Sequence, residues 1–326
     1  MNTTQLLLSL RRLHQHIRER VVNACEEQAG TTLARVSEQH RDDTLYAIDR
    51  IGEQVILEFI EREIAVHVPV IVICEGMAQG STVLPAGTRE QDARWRIIID
   101  PIDGTRGLMY QKRSAWILTG VAENQGQEPM LQDIFLAVQT EVPLVKQHLS
   151  DQLWALRGQG TQGRRYNRLT GEENELAARP SQAKTIDHGF ATFVRFFPGG
   201  HTALSELEDT VLAAVLGKAI SERALCFEDQ YISTGGQIYG LVMGMDRFVA
   251  DLRPLLRQDN RLCCHPYDIC TELIAREAGV IICDETGEPI SCPLDTRTPV
   301  TWIGYANATL RNTIHPHLEQ ALKKFS

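Results

Sequence analysis

Apolar residues at helical spacing mark the start of the chain. The first such stripe predicts a helix over residues 3–29. Its apolar positions are Leu6, Leu10, Leu13 and Ile17. A second stripe predicts a helix from Thr44 to about Glu63, and Asp42 or Asp43 could cap its start. Each helix would bury one face and leave the other in water.

Continuous apolar runs of strand length follow the two helices. Short runs of this kind, several of them rich in β-branched side chains, are typical of buried strands. The predicted strands cover residues 68–74, 94–100, 115–123, 133–140 and 152–157. Together they predict a multi-stranded sheet that packs against the two early helices.

The second half of the chain alternates between helix and strand patterns. Residues 158–203 are rich in Gly, Arg, Asn and Thr, and we predict a loop or lid with some short structure there. The later pattern predicts helices at 204–217, 268–278 and 308–323, strands at 279–284 and 300–306, and a turn entering a strand at 246–249. This order predicts a layered α/β fold. We expect an N-terminal α+β half, 1–157, and a C-terminal α/β half, 158–326, in one compact unit.

Composition narrows the class of protein. The formal net charge of −9 argues against a protein that coats nucleic acid, because such proteins present a broad basic surface. A phosphorylated small molecule remains open as a partner, since divalent metals can reverse the charge of an acidic site. The eight cysteines include no CxxC pair, and no apolar run reaches the length of a membrane span. We therefore expect a reduced, cytoplasmic protein with no membrane partner.

The strongest chemical signal is the sequence DPIDGT, which ends an apolar strand at positions 100–105. Pro101 has no N–H group, so we expect the strand ladder to stop there. Gly104 allows a tight turn and a close approach of the backbone. Two acids beside a glycine could form only a capped loop, because Asp and Gly are ordinary turn residues. The full string is more specific, since it combines both acids with a proline, a glycine and a hydroxyl group.

Asp100 and Asp103 are the candidate metal ligands of this turn. Mg²⁺ prefers oxygen ligands in octahedral geometry, and the Ile102 carbonyl would point to the same place as the two carboxylates. The N–H groups of Gly104 and Thr105 could hold a phosphate oxygen at the start of the next turn or helix. The turn therefore predicts a site for a metal ion and a phosphate group.

The string IIIDPIDGT resembles the signature of the inositol monophosphatase family, in the superfamily that includes fructose-1,6-bisphosphatase. The family has a metal-binding acid after the preceding strand, and Glu75 matches it, although Gly76 replaces a second acid. A family Asp of the second helix hydrogen-bonds the signature Thr, and Asp49 and Thr105 match this pair. Asp268 matches the last metal ligand, although a Tyr precedes it where the family has Trp.

The resemblance covers residues 40–140 and 232–320, and it leaves out an atypical middle segment, 158–231. Asp251 falls near the position of an acid that contacts substrate hydroxyls in inositol monophosphatases. Arg106 stands where the family often has a small hydroxyl residue. These departures concern the substrate pocket and leave the acidic residues of the signature unchanged.

The resemblance implies a sugar-phosphatase fold of alternating αβαβα layers and a phosphomonoesterase that uses two or three Mg²⁺ ions. The implied metal ligands are Glu75, Asp100, the Ile102 carbonyl, Asp103 and Asp268. Glu75, Asp49 and Thr105 would orient and deprotonate the attacking water. Contacts to the substrate are expected from Asp103, Gly104, Thr105, Asp251 and Asp268. Relatives are commonly homodimers that Li⁺ inhibits, so we expect both properties here.

Three functions remain open from the sequence. The first is hydrolysis of inositol monophosphate or a similar small sugar or polyol phosphate. The second is hydrolysis of fructose-1,6-bisphosphate or a 3′-phosphonucleotide, because Arg106 and the middle segment could hold an extra anionic group. The third is a regulatory binding protein that retains the fold, although a scaffold has no need for the acidic set.

Overall fold

The N-terminal helix is present as predicted. A computed structural model describes residues 1–27, 36–39, 44–46, 55–77, 79–126, 128–217, 224–256 and 262–324. Helix α1 covers Thr3–Glu27, and its apolar stripe is buried. Because the stripe faces one side only, α1 packs on a sheet while its opposite face remains in water.

The second helix begins later than predicted. Residues 44–46 form a short strand, β2 (Thr44–Tyr46), which pairs antiparallel with β1 (Val36–Gln39), so the predicted helix start at Thr44 is wrong. The sequence Thr-Leu-Tyr favours a strand, and pairing with β1 satisfies its backbone groups. Further along the chain, residues 55–60 are helical and Glu61–Ala65 continue them as a π-helix; we call this described part of the helix, residues 55–65, α2.

An eight-stranded sheet forms the centre of the N-terminal half. Its strands are β3 (Val70–Cys74), β4 (Ser81–Leu84), β5 (Trp95–Asp103), β6 (Ala115–Glu123), β7 (Leu136–Val142), β8 (Leu149–Leu156), β9 (Thr161–Asn167) and β10 (Glu173–Glu175). Their order is β10-β9-β8-β7-β6-β5-β3-β4, in which β3 and β5 are parallel and the other neighbours antiparallel. The five predicted strands are therefore confirmed, and β4 was not predicted.

Strand β5 continues past the proline at which we expected it to end. The register of β5 on β6 shifts between Asp100, which is opposite Leu118, and Asp103, which is opposite Trp116. One extra residue on β5 makes this a β-bulge, where a proline is tolerated because no ladder N–H is required. The prediction that Pro101 stops the ladder is therefore wrong. The bulge lets two acids of one strand reach the same site.

The segment predicted as a loop or lid contains more strand than expected. Strands β9 and β10 extend the large sheet, so the β8–β9 hairpin crosses the expected division at residue 157. A second sheet has the order β12-β11-β13-β15-β14. Its strands are β11 (Gly189–Phe193), β12 (Cys226–Phe227), β13 (Asp246–Asp251), β14 (Ile281–Cys283) and β15 (Trp302–Tyr305). The division into two halves stays a prediction.

Helices complete five alternating layers, which confirms the predicted fold. They are α3 (Thr105–Met109), α4 (His201–Leu216), α5 (Thr234–Val242), α6 (Arg253–Leu256), α7 (Pro266–Ile269), α8 (Glu272–Glu277) and α9 (Ala308–Leu322). One apolar core lies between the large sheet and α1 with α2, and another lies between the two sheets around α5, α7 and α8. Helices α4 and α9 pack together beyond the second sheet. No helix in the described part of the chain is long and apolar enough to span a membrane.

Candidate active site

The two acids of the DPIDGT turn lie at the end of β5. Asp100 is 1% exposed and Asp103 is 8% exposed, so both carboxylates are almost removed from water. The Ile102 N–H donates to Asp100 Oδ1 at 2.9 Å, which holds this carboxylate across the bulge. Burial of charged carboxylates is costly unless hydrogen bonds or a cation compensate for it.

A third carboxylate comes from helix α7. Asp268 lies in the first turn of α7, where its Oδ2 accepts a hydrogen bond of 2.6 Å from the His265 N–H. Ligand atoms of Asp100, Asp103 and Asp268 all lie within 4.8 Å of one another. The structure therefore brings together three acids that are distant in sequence. We call them the carboxylate cluster.

The start of helix α5 supports Asp103. The Ser233 hydroxyl donates to Asp103 Oδ2 at 2.8 Å, and the Gly235 N–H donates to the same oxygen at 2.6 Å. Ser233 is also the N-cap of α5, since its Oγ accepts from the Gly236 N–H. A Cβ on Gly235 would lie 2.6 Å from a Leu118 methyl group and 3.0 Å from Asp103 Oδ2, so only glycine fits there.

Ser233 was not among the site residues predicted from the sequence. The sequence Ser-Thr-Gly-Gly before an apolar run is a usable signal, because serine is a preferred N-cap. The pairing of this cap with Asp103 depends on the packing of α5 between the two sheets, which local sequence does not reveal.

The electrostatics of the cluster favour a cation. Burial, and then the neighbouring charge of Asp268, raises the pKa of Asp103 to about 7, against the hydrogen bonds from Ser233 and Gly235. Like charges held this close repel one another, and a divalent ion would relieve that repulsion. The donors are all carboxylate oxygens, which is the ligand type that Mg²⁺ prefers. The cluster therefore fits a Mg²⁺ site.

The turn after Asp103 has the tight geometry that its glycine predicts. Gly104 has a φ of 90°, and a Cβ there would lie 3.1 Å from the Ile232 carbonyl oxygen. The Thr105 hydroxyl donates to the Ile102 carbonyl at 2.7 Å. A carbonyl oxygen has two lone pairs, so this hydrogen bond leaves Ile102 able to act as the ligand that the sequence predicts.

Glu75 lies on the wall of the same cleft, a cavity of about 150 Å³ that also contains Asp103 and Asp268. Its Oε1 accepts a hydrogen bond of 3.3 Å from the Tyr267 hydroxyl. Within the described ranges, Glu75 is not part of the carboxylate cluster. Asp49, the predicted partner of Thr105, lies outside the described residues.

The structure does not place Asp251 on the cleft wall. Asp251 is 0% exposed, and its carboxylate pairs with the Arg253 guanidinium, whose Nε donates to Oδ1 at 2.7 Å. Arg253 itself does line the cleft, with its guanidinium over the rings of Phe196 and Phe197. Although burial opposes its charge, the pairing with Asp251 raises the pKa of Arg253 above its usual value. At this part of the cleft wall the structure therefore places the guanidinium of Arg253, and the contact of Asp251 with substrate stays a prediction.

The alternating layers and the carboxylate cluster define a protein with the sugar-phosphatase fold. The chain belongs to the inositol monophosphatase family, whose sequence model matches residues 8–179. It is therefore a phosphomonoesterase of the superfamily that also includes fructose-1,6-bisphosphatases. No curated protein matches the chain significantly.

Solved structures with the same fold are distant in sequence. Fructose-1,6-bisphosphatase from Leishmania major has a TM-score of 0.71 and 13% identity, over 98% of this chain and 94% of that chain. The extragenic suppressor protein suhB from Bartonella henselae has a TM-score of 0.63 and 18% identity, over 98% of both chains. Inositol monophosphatase II from Staphylococcus aureus MSSA476 has a TM-score of 0.61 and 15% identity, over 98% of this chain and 97% of that chain. At these identities the likeness establishes the fold alone.

Proposed function

We propose that this chain is a Mg²⁺-dependent phosphomonoesterase that hydrolyses inositol monophosphate or a similar small sugar or polyol phosphate. The observation that carries the proposal is the carboxylate cluster, in which two of three acids are buried at the end of one strand. Burying carboxylates of like charge together costs free energy unless a cation compensates for it. A cation that prefers oxygen ligands suits this site.

The proposed metal ligands are the cluster and two neighbours. Asp100, Asp103 and Asp268 would hold two or three Mg²⁺ ions together with Glu75 and the Ile102 carbonyl. Bound Mg²⁺ would lower the pKa of a water molecule and offset the charge of a phosphoryl group during an in-line displacement. The donor set, carboxylates and one carbonyl, matches this chemistry.

The chain's own residues would orient the reactants. Glu75 and the Asp49–Thr105 pair would position the attacking water and accept its proton. The backbone of Gly104 and Thr105 would hold a phosphate oxygen, and Asp268 would lie beside the departing oxygen. Burial raises the pKa of the Cys264 thiol well above its usual value, so a covalent thiolate intermediate is not part of this mechanism.

Relatives support a phosphate monoester as substrate. Two similar structures of SaIMPase-II contain inositol monophosphate and 2′-AMP, each at a TM-score of 0.60 and 14% identity. Both ligands carry one phosphate on a polyol or ribose ring. The same preference in this chain is our proposal, as are the homodimer, the Li⁺ sensitivity and the cytoplasmic location.

A bisphosphate or 3′-phosphonucleotide substrate is the second candidate. Two cationic side chains, Arg106 and Arg253, line the cleft beside the acids. A substrate with a second anionic group would gain from them, since guanidinium groups pair well with phosphate. The Arg106→Gln variant should then lower kcat/KM for a bisphosphate by about 10-fold or more, and for inositol monophosphate by much less.

The test is phosphate release from a panel of esters. The panel contains inositol 1-phosphate, fructose-1,6-bisphosphate and 3′-phosphoadenosine 5′-phosphate, each assayed with Mg²⁺, with EDTA and with added Li⁺. We expect release that requires Mg²⁺, falls with Li⁺ and is fastest with inositol 1-phosphate. Equal release in EDTA would overturn the metal mechanism. Release from the nucleotide or bisphosphate alone would favour the second candidate, and no release from any ester would favour a binding role.

A further inference from the structure

A basic stripe on helix α1 faces the edge of the large sheet. Arg11, Gln15 and Arg18 follow one another at intervals of four and three residues, so they share one face of the helix. With Arg12 they line a cavity of about 180 Å³. The stripe is separate from the carboxylate cluster, and no residue that the structure describes lines both cavities.

The opposite wall of this cavity is a polar patch of the sheet. Ser150 is opposite Tyr166, and Gln152 is opposite Arg164, in the β8–β9 register. Members of such cross-strand pairs point to the same face of a sheet. Tyr166, Gln152 and Arg164 line the cavity, and Glu173 is its one acidic lining residue in the described part of the chain. We call this cavity, lined by Arg11, Arg12, Arg18, Arg164, Tyr166 and Glu173, the arginine pocket.

Arg18 is the most informative residue of the pocket. It is only 4% exposed, yet it forms no ion pair with any carboxylate among the residues that the structure describes. One of its terminal nitrogens donates to Ser150 Oγ at 3.1 Å, and its guanidinium lies 4.4 Å from the Tyr166 ring centroid. A guanidinium has five N–H donors, so most of this group's capacity remains for the cavity.

Arg11 is held in the same way. Its Nε donates to Gln152 Oε1 at 2.7 Å, and its guanidinium lies 3.7 Å from the Trp154 ring centroid. These contacts fix the plane of the guanidinium and leave its terminal nitrogens available. Burial lowers the pKa of both arginines, and the charge of Glu173 opposes this shift in part. Both nevertheless stay charged near neutral pH.

The pocket is remote from the proposed active site. Strands β8 and β9 are three and four places from β5 in the sheet order. At ~4.8 Å between neighbouring strands, this places the pocket about 14–19 Å from the strand that carries Asp103. A ligand in the arginine pocket would therefore not touch the carboxylate cluster.

We propose that the arginine pocket is a binding site for a phosphate group, either free or on a small ester. Two fixed guanidinium planes match the several oxygens of a phosphate, and such charge-assisted pairs are among the strongest hydrogen bonds in proteins. The cavity is smaller than the pockets that hold drug-sized ligands, which favours a compact anion. Glu173 at the rim would repel a bare anion and accept hydrogen bonds from the hydroxyl groups of an ester.

The experiment measures anion binding with the active site disabled. The Asp103→Asn protein, freed of metal with EDTA, is titrated by calorimetry with inorganic phosphate, ribose 5-phosphate and sodium chloride at matched ionic strength. The same titrations are made with Arg18→Met added, and with Arg20→Met added as the control. Arg20 is an exposed residue of the same helix and does not line the pocket.

We expect both phosphate compounds to bind and chloride not to bind. Arg18→Met should weaken phosphate binding by about 10–100-fold, which is the usual effect of losing a charged hydrogen bond, and Arg20→Met should change it less than 2-fold. At saturating phosphate the unfolding midpoint should rise by about 2–4 °C in the control and not in Arg18→Met. Tighter binding of ribose 5-phosphate would identify an ester as the ligand, and equal binding would identify free phosphate.

Two results would overturn the proposal. If neither phosphate compound binds better than chloride, the arginines only connect α1 to the sheet. If phosphate binds equally to the control and to Arg18→Met, it binds elsewhere on the protein. Because Met retains the apolar stem of Arg18, the variant should fold, and its unfolding midpoint without phosphate verifies this. Since the titrations use no metal and no turnover, they remain informative even if the chain has no phosphatase activity on the ester panel.

Discussion

The carboxylate cluster and the arginine pocket each bring together side chains of like charge, and they differ in how that charge can be reduced. Asp103 can take up a proton, and its pKa of about 7 places that event near neutrality. Arg18 cannot release its proton in this range, because an arginine stays charged even when buried. The carboxylate cluster can therefore lose part of its own charge by taking up a proton, whereas the charge of Arg18 must be offset by carboxylates such as Glu173, by water or by an anion. A metal cation would stabilise the carboxylate cluster, and a phosphate anion would stabilise the arginine pocket.

The largest expected effect is on turnover, which should depend on the carboxylate cluster and not on the arginine pocket. Asp103→Asn should lower Mg²⁺-dependent turnover by about 1,000-fold or more, because it removes a ligand from both the metal and the phosphate positions. Arg18→Met should change turnover less than about 2-fold, since its pocket lies three to four strands away. Steady-state kinetics on inositol 1-phosphate measures both.

Asp209→Asn is the matched control for this comparison. Asp209 is an exposed residue of α4, so the same chemical change there should leave turnover unaltered. Full activity of Asp103→Asn would contradict the proposed mechanism. An equal loss of turnover in Arg18→Met would show that the arginine pocket and the carboxylate cluster are coupled.

A smaller effect is expected at the residue that supports the cluster. Ser233→Ala removes the hydroxyl that donates to Asp103 and caps α5. Loss of such a supporting hydrogen bond typically lowers metal affinity by about 10–100-fold, and loss of the cap costs about 1 kcal/mol of unfolding free energy. Calorimetric titration with Mg²⁺ and urea unfolding measure the two consequences separately.

Asn307→Ala provides the control, because Asn307 caps α9 through the Leu310 N–H and does not line the cleft. It should lose at least as much unfolding free energy, because its amide also donates to the Ser181 and Ala183 carbonyls, with no change in Mg²⁺ affinity. If the two variants changed Mg²⁺ affinity equally, the Ser233 contact would be irrelevant to the cluster, and only its capping role would remain.

The sequence selected the three acids that the structure brings together and missed the residues around them, for a physical reason. DPIDGT carries its chemistry in adjacent positions, so a local pattern was enough to select Asp100 and Asp103, and the resemblance to the family selected Asp268. The contacts of Ser233 and Arg253 join strands and helices that are far apart in sequence, and they exist only after the two sheets pack. The arginine pocket was missed for the same reason, because α1 and β9 are more than 130 residues apart.

In the fold as well, features set by local sequence were predicted, and features that depend on contacts between distant segments were not. The helical spacing of apolar residues predicted α1, and continuous apolar runs predicted the buried strands. Both patterns are local, because they reflect which faces of an element are buried. The predicted helix start at Thr44 is wrong because pairing of β1 with β2 overrides the helical spacing there. The ladder stop at Pro101 failed because a bulge accommodates the proline, and a bulge depends on the register of the neighbouring strand.

The smallest expected effect concerns Asp246, a partly buried acid outside the carboxylate cluster. Burial, and then the charge of Asp229, raises the pKa of Asp246 to about 7, against the opposing effect of Arg113. Its native pKa therefore exceeds its unfolded value, so the stability it contributes is full below about pH 4 and is lost as pH rises through about 7. Asp246→Asn should remove that loss and stabilise the protein at pH 8 by about 1–3 kcal/mol relative to its effect at pH 4.

Urea unfolding at both pH values in saturating Mg²⁺ isolates this residue, because bound Mg²⁺ compensates the carboxylate cluster but not Asp246. An identical pH dependence in wild type and Asp246→Asn would mean that Asp246 titrates as an ordinary surface acid. Asp246 would then differ from Asp103 only in how deeply it is buried, and the lack of a compensating cation at Asp246 would have no effect on stability.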